Sequence, residues 1–319
     1  MTEENAHPEG QAGRKKLTDI VAYGGMVLLM LAAEVAALLL TGPAVSAGIL
    51  AFDNPDSLWN VALFIFLMLI FTAVLLLLIR KKAQKVISVI IALCLLLCIF
   101  YVSFALLMLI PDIPKAAAYA LAAVIGAGGI LLLWKFPEWY VIDIIGLVIC
   151  AGCASIFGIS LSPLLVIVLL LLLILYDYIS VKHSKHMLTL ADGVMKQKMP
   201  IMFLVPKTRG YSYRKSGFSV EKKREERSAY MIGMGDMIMP GILVVSAQVF
   251  AHGMEVLGVS LPALGALAGS LIGVILLAIP MKSGKPQPGL PLINGCAIAG
   301  FLICCAIAGS WDWIFVSIF

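Results

Sequence analysis

The sequence predicts an all-α polytopic membrane protein with nine transmembrane helices, its N-terminus cytoplasmic and its C-terminus extracytoplasmic. Three observations carry that expectation. Hydrophobic residues make up 62% of the 319-residue chain and charged residues only 13%, more apolar surface than a soluble domain can bury. Nine apolar runs reach bilayer-spanning length, at roughly 20–40, 59–79, 86–110, 116–134, 139–158, 161–181, 229–252, 259–280 and 291–316. If these alternate in direction, 22 of the 23 Lys and Arg residues fall on one face and Lys115 stands alone on the other. The positive-inside rule makes the basic face cytoplasmic. A missed or extra helix would swap the later loops, so the partition also supports the count. The net charge of +5 follows from this topology, with some attraction to anionic membrane lipid, and calls for no nucleic-acid partner.

In chain order, residues 1–16 form a polar cytoplasmic tail ending in Arg14-Lys15-Lys16. The run that follows is too long for a signal-peptide core and lacks a small-residue cleavage site, so it reads as a retained first helix. Residues 17–158 hold helices one to five, a scaffold; residues 159–319 hold helices six to nine. Glu34 lies mid-span in the first run and reads as a structural group, hydrogen-bonded to a neighbouring helix or lining a wet cavity. Gly126, Gly128 and Gly129 in the fourth run suit close helix packing. In the fifth, Asp143 follows Trp139-Tyr140 and is expected at the membrane interface. Little more than Ser160-Leu161-Ser162-Pro163 joins the fifth run to the sixth, which carries Tyr176-Asp177 near its end.

A long, mostly polar cytoplasmic loop covers residues 182–228. Within it, the apolar stretch 199–206 is too short to span, and Pro200 and Pro206 at its ends favour an extended segment over a helix. The charged stretch 221–227 reads as the solvated start of the seventh helix. Gly265, Gly269 and Gly273 repeat every fourth residue in the eighth run, a face on which another helix can sit closely. All seven cysteines lie in apolar runs, and Cys150-x-x-Cys153 lacks a second pair or a nearby histidine, so these are packing thiols rather than a redox or zinc motif. His183 and His186 are three apart but flanked by lysines without a third ligand, and read as solvated. No metal or organic cofactor is expected.

A carboxylate inside a span is expensive and by default marks function. Asp177 lies ~6 Å short of the inner end of helix six, and Asp236 ~10 Å past the inner start of a seventh helix opening at 229, so both reach similar depth. Consecutive helices are usually neighbours. Two carboxylates that close share one proton. That is the condition for aspartyl proteolysis, and equally for a pair of protonatable acids in an ion pathway; the bare pair leaves both open.

Tyr176-Asp177 and Gly233-Met234-Gly235-Asp236 resemble the YD and GxGD motifs of the presenilin and signal peptide peptidase family, intramembrane aspartyl proteases with nine transmembrane helices. The resemblance implies that Asp177 and Asp236 are catalytic, that water is the nucleophile, that no cofactor is required and that substrates are transmembrane segments of other proteins. The family's third motif, Pro-Ala-Leu, stands at the start of its ninth helix. A literal Pro262-Ala263-Leu264 opens the eighth helix instead, at the wrong end of the membrane, so the motif is carried to Pro288-Gly289-Leu290, with glycine in place of alanine. The stretch around 198–206 resembles the signal peptide peptidase branch; Ile201, Met202, Phe203, Leu204 and Val205 are expected to pair with an unwound substrate by strand addition. With no large extramembrane domain, no obligatory partner subunit is inferred. The short form resembles archaeal members, implying the plasma membrane of a prokaryote. Two alternatives explain less. A prepilin-type GxGD peptidase usually has a basic residue after the motif, where this chain has Met237-Ile238-Met239-Pro240. A transporter or cation leak channel using Glu34, Asp177 and Asp236 would be expected to show an internal repeat.

Overall fold

The computed structural model describes residues 8–179, 202–206, 211–212, 229–281 and 289–316. Its elements are α1 (Pro8–Ser46), α2 (Leu58–Arg80), α3 (Gln84–Leu107), α4 (Lys115–Lys135), α5 (Trp139–Gly158), α6 (Pro163–Ile179), β1 (Met202–Pro206), β2 (Ala229–Gly233), α7 (Met234–Phe250), β3 (Glu255–Val256), β4 (Val259–Ser260), α8 (Leu261–Met281), α9 (Leu290–Ala308) and α10 (Asp312–Val316). Among the described residues, six helices are long and apolar enough to cross a membrane: Ala22–Ser46 within α1, then α2, α3, α4, α5 and α9; α6, α7 and the Leu261–Leu277 part of α8 are apolar but shorter. The polytopic helical membrane fold is as the composition requires.

Local sequence sets the ends of these elements. Pro163 opens α6, where its missing N–H costs nothing. Gly289 precedes α9 and Pro291 lies in its first turn; Gly309, at φ +66°, closes it in the left-handed conformation that glycine adopts without strain.

The seventh apolar run is not helical throughout. Residues 229–233 form β2, which pairs antiparallel with β1 in the register Met202↔Gly233, Phe203↔Ile232, Leu204↔Met231, Val205↔Tyr230 and Pro206↔Ala229. A short apolar run carries no period that separates a strand from a buried helix. Gly233 and Gly235 lower helix propensity at this spot, and a partner strand takes up the backbone. The sheet is covered on both faces. Phe203 and Ile232 pack with Met26 and Met30 of α1 and with Met234 and Met237 of α7. Leu204 and Ala229 pack with Ile142 and Ile145 of α5. Gly146 lets α5 come down onto this layer: a Cβ there would lie 2.6 Å from Met234 Cε and 3.0 Å from a Phe203 ring carbon.

Helix α7 is central, packed against α1, α5, α6, α8 and α9. Its residues Pro240, Gly241, Ile242, Leu243, Val244, Val245, Ser246 and Ala247 are all buried. Helices α8 and α9 form the most extensive helix pair. The glycine face expected there is used for it: a Cβ on Gly269 would land on the Cys296 carbonyl oxygen, and one on Gly273 would lie 2.6 Å from Ile293 Cα. In α4, Gly126 and Gly129 meet Leu96 and Ile99 of α3, whereas Gly128 faces open space. All seven cysteines are free, and Cys98 and Cys153 touch across α3 and α5 with sulfurs 3.7 Å apart. Glu34 is 1% exposed and accepts a 2.9 Å hydrogen bond from the Ser270 hydroxyl of α8, the helix-to-helix role expected of it.

Candidate active site

Three helix ends meet around the two aspartates. Asp177 lies in the last turn of α6 and is 2% exposed. Asp236 is the third residue of α7, so it sits in the first turn rather than ~10 Å inside a longer helix, because residues 229–233 are strand. Its carboxyl accepts from the Gly233 N–H. An acidic side chain reaching back from the third helical position to the cap amide is half of a capping box, and it fixes the side chain relative to the strand that precedes it. The start of α9 completes the cluster. The Leu290 N–H, one of the amides a helix N-terminus leaves without an internal partner, donates to the Asp177 carboxyl. Gly289 lies against the other acid, where a Cβ would be 3.1 Å from Asp236 Oδ2. The Asp177 carboxylate acts electrostatically on Asp236, so the two groups form one site.

Several polar positions here are open. Asp177 Oδ2 is buried and has no partner among the described residues; a buried acceptor in that state calls for a water or a substrate group. Pro240 lies four residues after Asp236 within α7, so the helix ladder offers the Asp236 carbonyl no amide. Gly235 is exposed, with nothing within 4 Å of where a Cβ would stand. The backbone that comes close to the Asp236 carboxyl is therefore at Gly289, and Gly235 faces open space among the described residues.

The structure brings Asp177, Asp236, Gly233, Gly289 and Leu290 together. Met234 is buried beside them in the core under the sheet, while Tyr176 is exposed on the flank of α6. Pro262-Ala263-Leu264 opens α8, beyond the far end of α7 from Asp236. Met202, Phe203, Leu204 and Val205 form β1; Ile201, Pro288, His183 and His186 lie outside the described residues. Among the described residues no group of three or more His, Cys, Asp or Glu side chains could hold a metal ion.

Asp143 has a place that the sequence reading did not give it. Near the start of α5, it is buried, 6% exposed, and its Oδ1 accepts a 2.9 Å hydrogen bond from the Leu204 N–H of β1. Its signal was in the helical period: Asp143, Gly146 and Cys150 share the buried face of α5.

The model of the family described as signal-peptide peptidase, presenilin aspartyl protease matches residues 26–310. Among solved structures, the chain is similar to a presenilin family intramembrane aspartate protease in two crystal forms. The C222 form is 40% identical with a TM-score of 0.67, covering 90% of this chain and 99% of that one. The P2 form is 40% identical with a TM-score of 0.65, covering 89% and 97%. No curated protein matches the chain. A family model that runs from α1 to the end of α9, together with relatives of this identity and coverage, makes the chain a member of the presenilin and signal-peptide peptidase family of intramembrane aspartyl proteases.

Proposed function

We propose that Asp177 and Asp236 are the catalytic dyad of this protease. The observation that carries the reading is the start of α9, where adjacent residues contact both acids: the Leu290 N–H reaches Asp177 and Gly289 adjoins Asp236. The ionised partner takes a proton from water, the water attacks the scissile carbonyl, and the protonated partner donates to the developing oxyanion or the leaving amine. The pair titrates as a unit. Pro288, Gly289 and Leu290 act as the Pro-Ala-Leu-like motif. The charge partition supports nine spans with a cytoplasmic N-terminus. Substrates are transmembrane segments of other proteins, met within the plasma membrane of a prokaryote.

The substrate-pairing expectation for 201–205 needs revision. Leu204 donates its N–H to Asp143, away from β2, so the Leu204↔Met231 pair is of the non-hydrogen-bonded kind, and Phe203↔Ile232 and Val205↔Tyr230 carry the ladder. On the outward edge of β1, Leu204 is occupied and Pro206 has no N–H. On the outward edge of β2, Gly233 serves Asp236, and Met231 offers its N–H and carbonyl. An unwound substrate therefore adds to β2 at Met231, one residue pair from the turn that carries Asp236.

A hydroxyl-bearing peptide isostere that mimics the tetrahedral intermediate tests the dyad. Wild type binds it, and Asp177→Ala and Asp236→Ala each lose binding while their thermal unfolding in detergent stays cooperative. Wild-type affinity in either variant contradicts the assignment.

A further inference from the structure

The Asp143–Leu204 hydrogen bond joins α5 to the sheet at the edge opposite the one assigned to substrate. We infer that Asp143 is a positioning residue for proteolysis: by closing the outward edge of β1, it leaves β2 as the one edge an extended substrate can join and fixes the register of that edge against Asp236. This rests on the strand-addition reading above.

The argument is one of edges. A two-stranded sheet has two, and each presents a row of N–H and C=O groups that another chain can pair with. Here only the β2 edge is useful, because β2 runs into Gly233 and so into the catalytic turn. A substrate pairing with β1 would lie a strand further from Asp236, about 4.8 Å, and would not reach the acids. Asp143 prevents this in the middle of β1 and Pro206 at its far end, which leaves Met202 as a single outward amide in β1, too little to seat an extended chain. The same bond sets position. Leu204 stands directly opposite Met231, and Asp143 is fixed in the first turns of α5, whose buried face packs against α7. Holding Leu204 therefore holds Met231, and with it the cut site, relative to Asp236. Burial favours this over a solubilising role, since the carboxyl sits within a core of Ile142, Ile145 and Leu204.

The test uses the full-length protein in detergent with a single-span peptide substrate, reading kcat, KM and the cut positions by mass spectrometry. Asp143→Leu removes the acceptor. We expect kcat to fall about tenfold or more, the scale of a buried donor left without its acceptor, with products displaced by one or more residues. Asp143→Asn keeps an oxygen acceptor and is expected to restore the rate to within about threefold and the cuts to their wild-type positions, which a loss of general stability would not do. Leu204→Pro removes the same bond from its donor side while sparing the β1–β2 ladder, and is expected to shift the cuts in the same way should Asp143→Leu fail to fold. Met231→Pro separates the underlying reading, because it deletes the outward N–H of β2 and is expected to abolish cleavage of the strand-adding substrate. If Met231→Pro is inactive but Asp143→Leu or Leu204→Pro, folded, cuts at wild-type rate and position, the role of Asp143 is overturned and strand addition stands. If Met231→Pro cleaves normally, strand addition itself is wrong.

Discussion

Helices α2 and α5 both qualify as membrane spans, and α2 is the more apolar of the two. Yet 6% of the spanning window of α2 is buried inside the protein, against 67% for α5. The difference is in residue size. Helix α2 is built of Leu, Phe and Ile, with Trp59, Phe66, Leu67, Ile70 and Leu77 all exposed, a surface that lipid covers. Helix α5 carries Gly146, Cys150, Gly152, Cys153, Ala154, Ser155 and Gly158 in its sequence, and small side chains let neighbouring backbones approach. In a bilayer, hydrophobicity says that a helix spans; smallness and polarity say which face meets protein. The same rule holds near the two acids: α8 and α9 meet through glycine, and Asp177 and Asp236 lie where α6 ends and where α7 and α9 begin.

That contrast is best broken on its buried side. Gly158→Leu puts a side chain where a Cβ already lies 2.5 Å from Val245 and 3.0 Å from the Ile242 carbonyl of α7. Overpacking against backbone should cost about 3 kcal/mol or more, read as a large loss of thermal stability in detergent. Glu34→Ala comes next. It deletes the interhelical bond and leaves a cavity, for a loss of about 2 kcal/mol, while the Ser270 hydroxyl keeps the Leu267 carbonyl as acceptor; Glu34→Gln, which still accepts from Ser270, should lose little in the same unfolding measurement. Gly289→Ala acts on the site rather than on stability. Its Cβ would stand 3.1 Å from Asp236 Oδ2, so the carboxyl must give by a few tenths of an ångström, and kcat/KM should fall by about threefold to tenfold, under ~1.4 kcal/mol, with unfolding unchanged. The smallest effect belongs to α2, where Leu77→Ala on the lipid-facing surface should change stability by less than about 0.5 kcal/mol. A large effect there would mean that α2 meets protein on that face, and the comparison with α5 would fail.

The parts legible in the sequence were those fixed by local chemistry. Apolar length gave the helical membrane character, with six helices of spanning length among the described residues, glycine spacing gave the α8–α9 contact, and Tyr176-Asp177 with Gly233-Met234-Gly235-Asp236 pointed to the acids. Gly289-Leu290 was preferred over Ala263-Leu264 from its expected end of the membrane, and Gly289 does lie against Asp236 while Pro262 opens α8 beyond the far end of α7. What escaped reading depends on partners far away in sequence. Ala229, Tyr230, Met231 and Ile232 look the same whether they extend a helix or pair with a strand some 27 residues earlier, and that ambiguity moved Asp236 from the helix start to its interior. The acceptor role of Asp143 was not legible because it exists only once Leu204 arrives across 61 residues of chain. The extended nature of 202–205 was foreseen from its prolines; its pairing with β2 was not.

The most direct measurement is turnover of a single-span substrate by the purified protein in detergent, comparing wild type with Asp177→Asn and Asp236→Asn one at a time. Asparagine keeps size and burial but can neither take a proton from water nor return it. Each single change should abolish cleavage, with the melting profile kept. Cleavage that survives either change, in a folded protein, would mean that these two acids are not the catalytic pair.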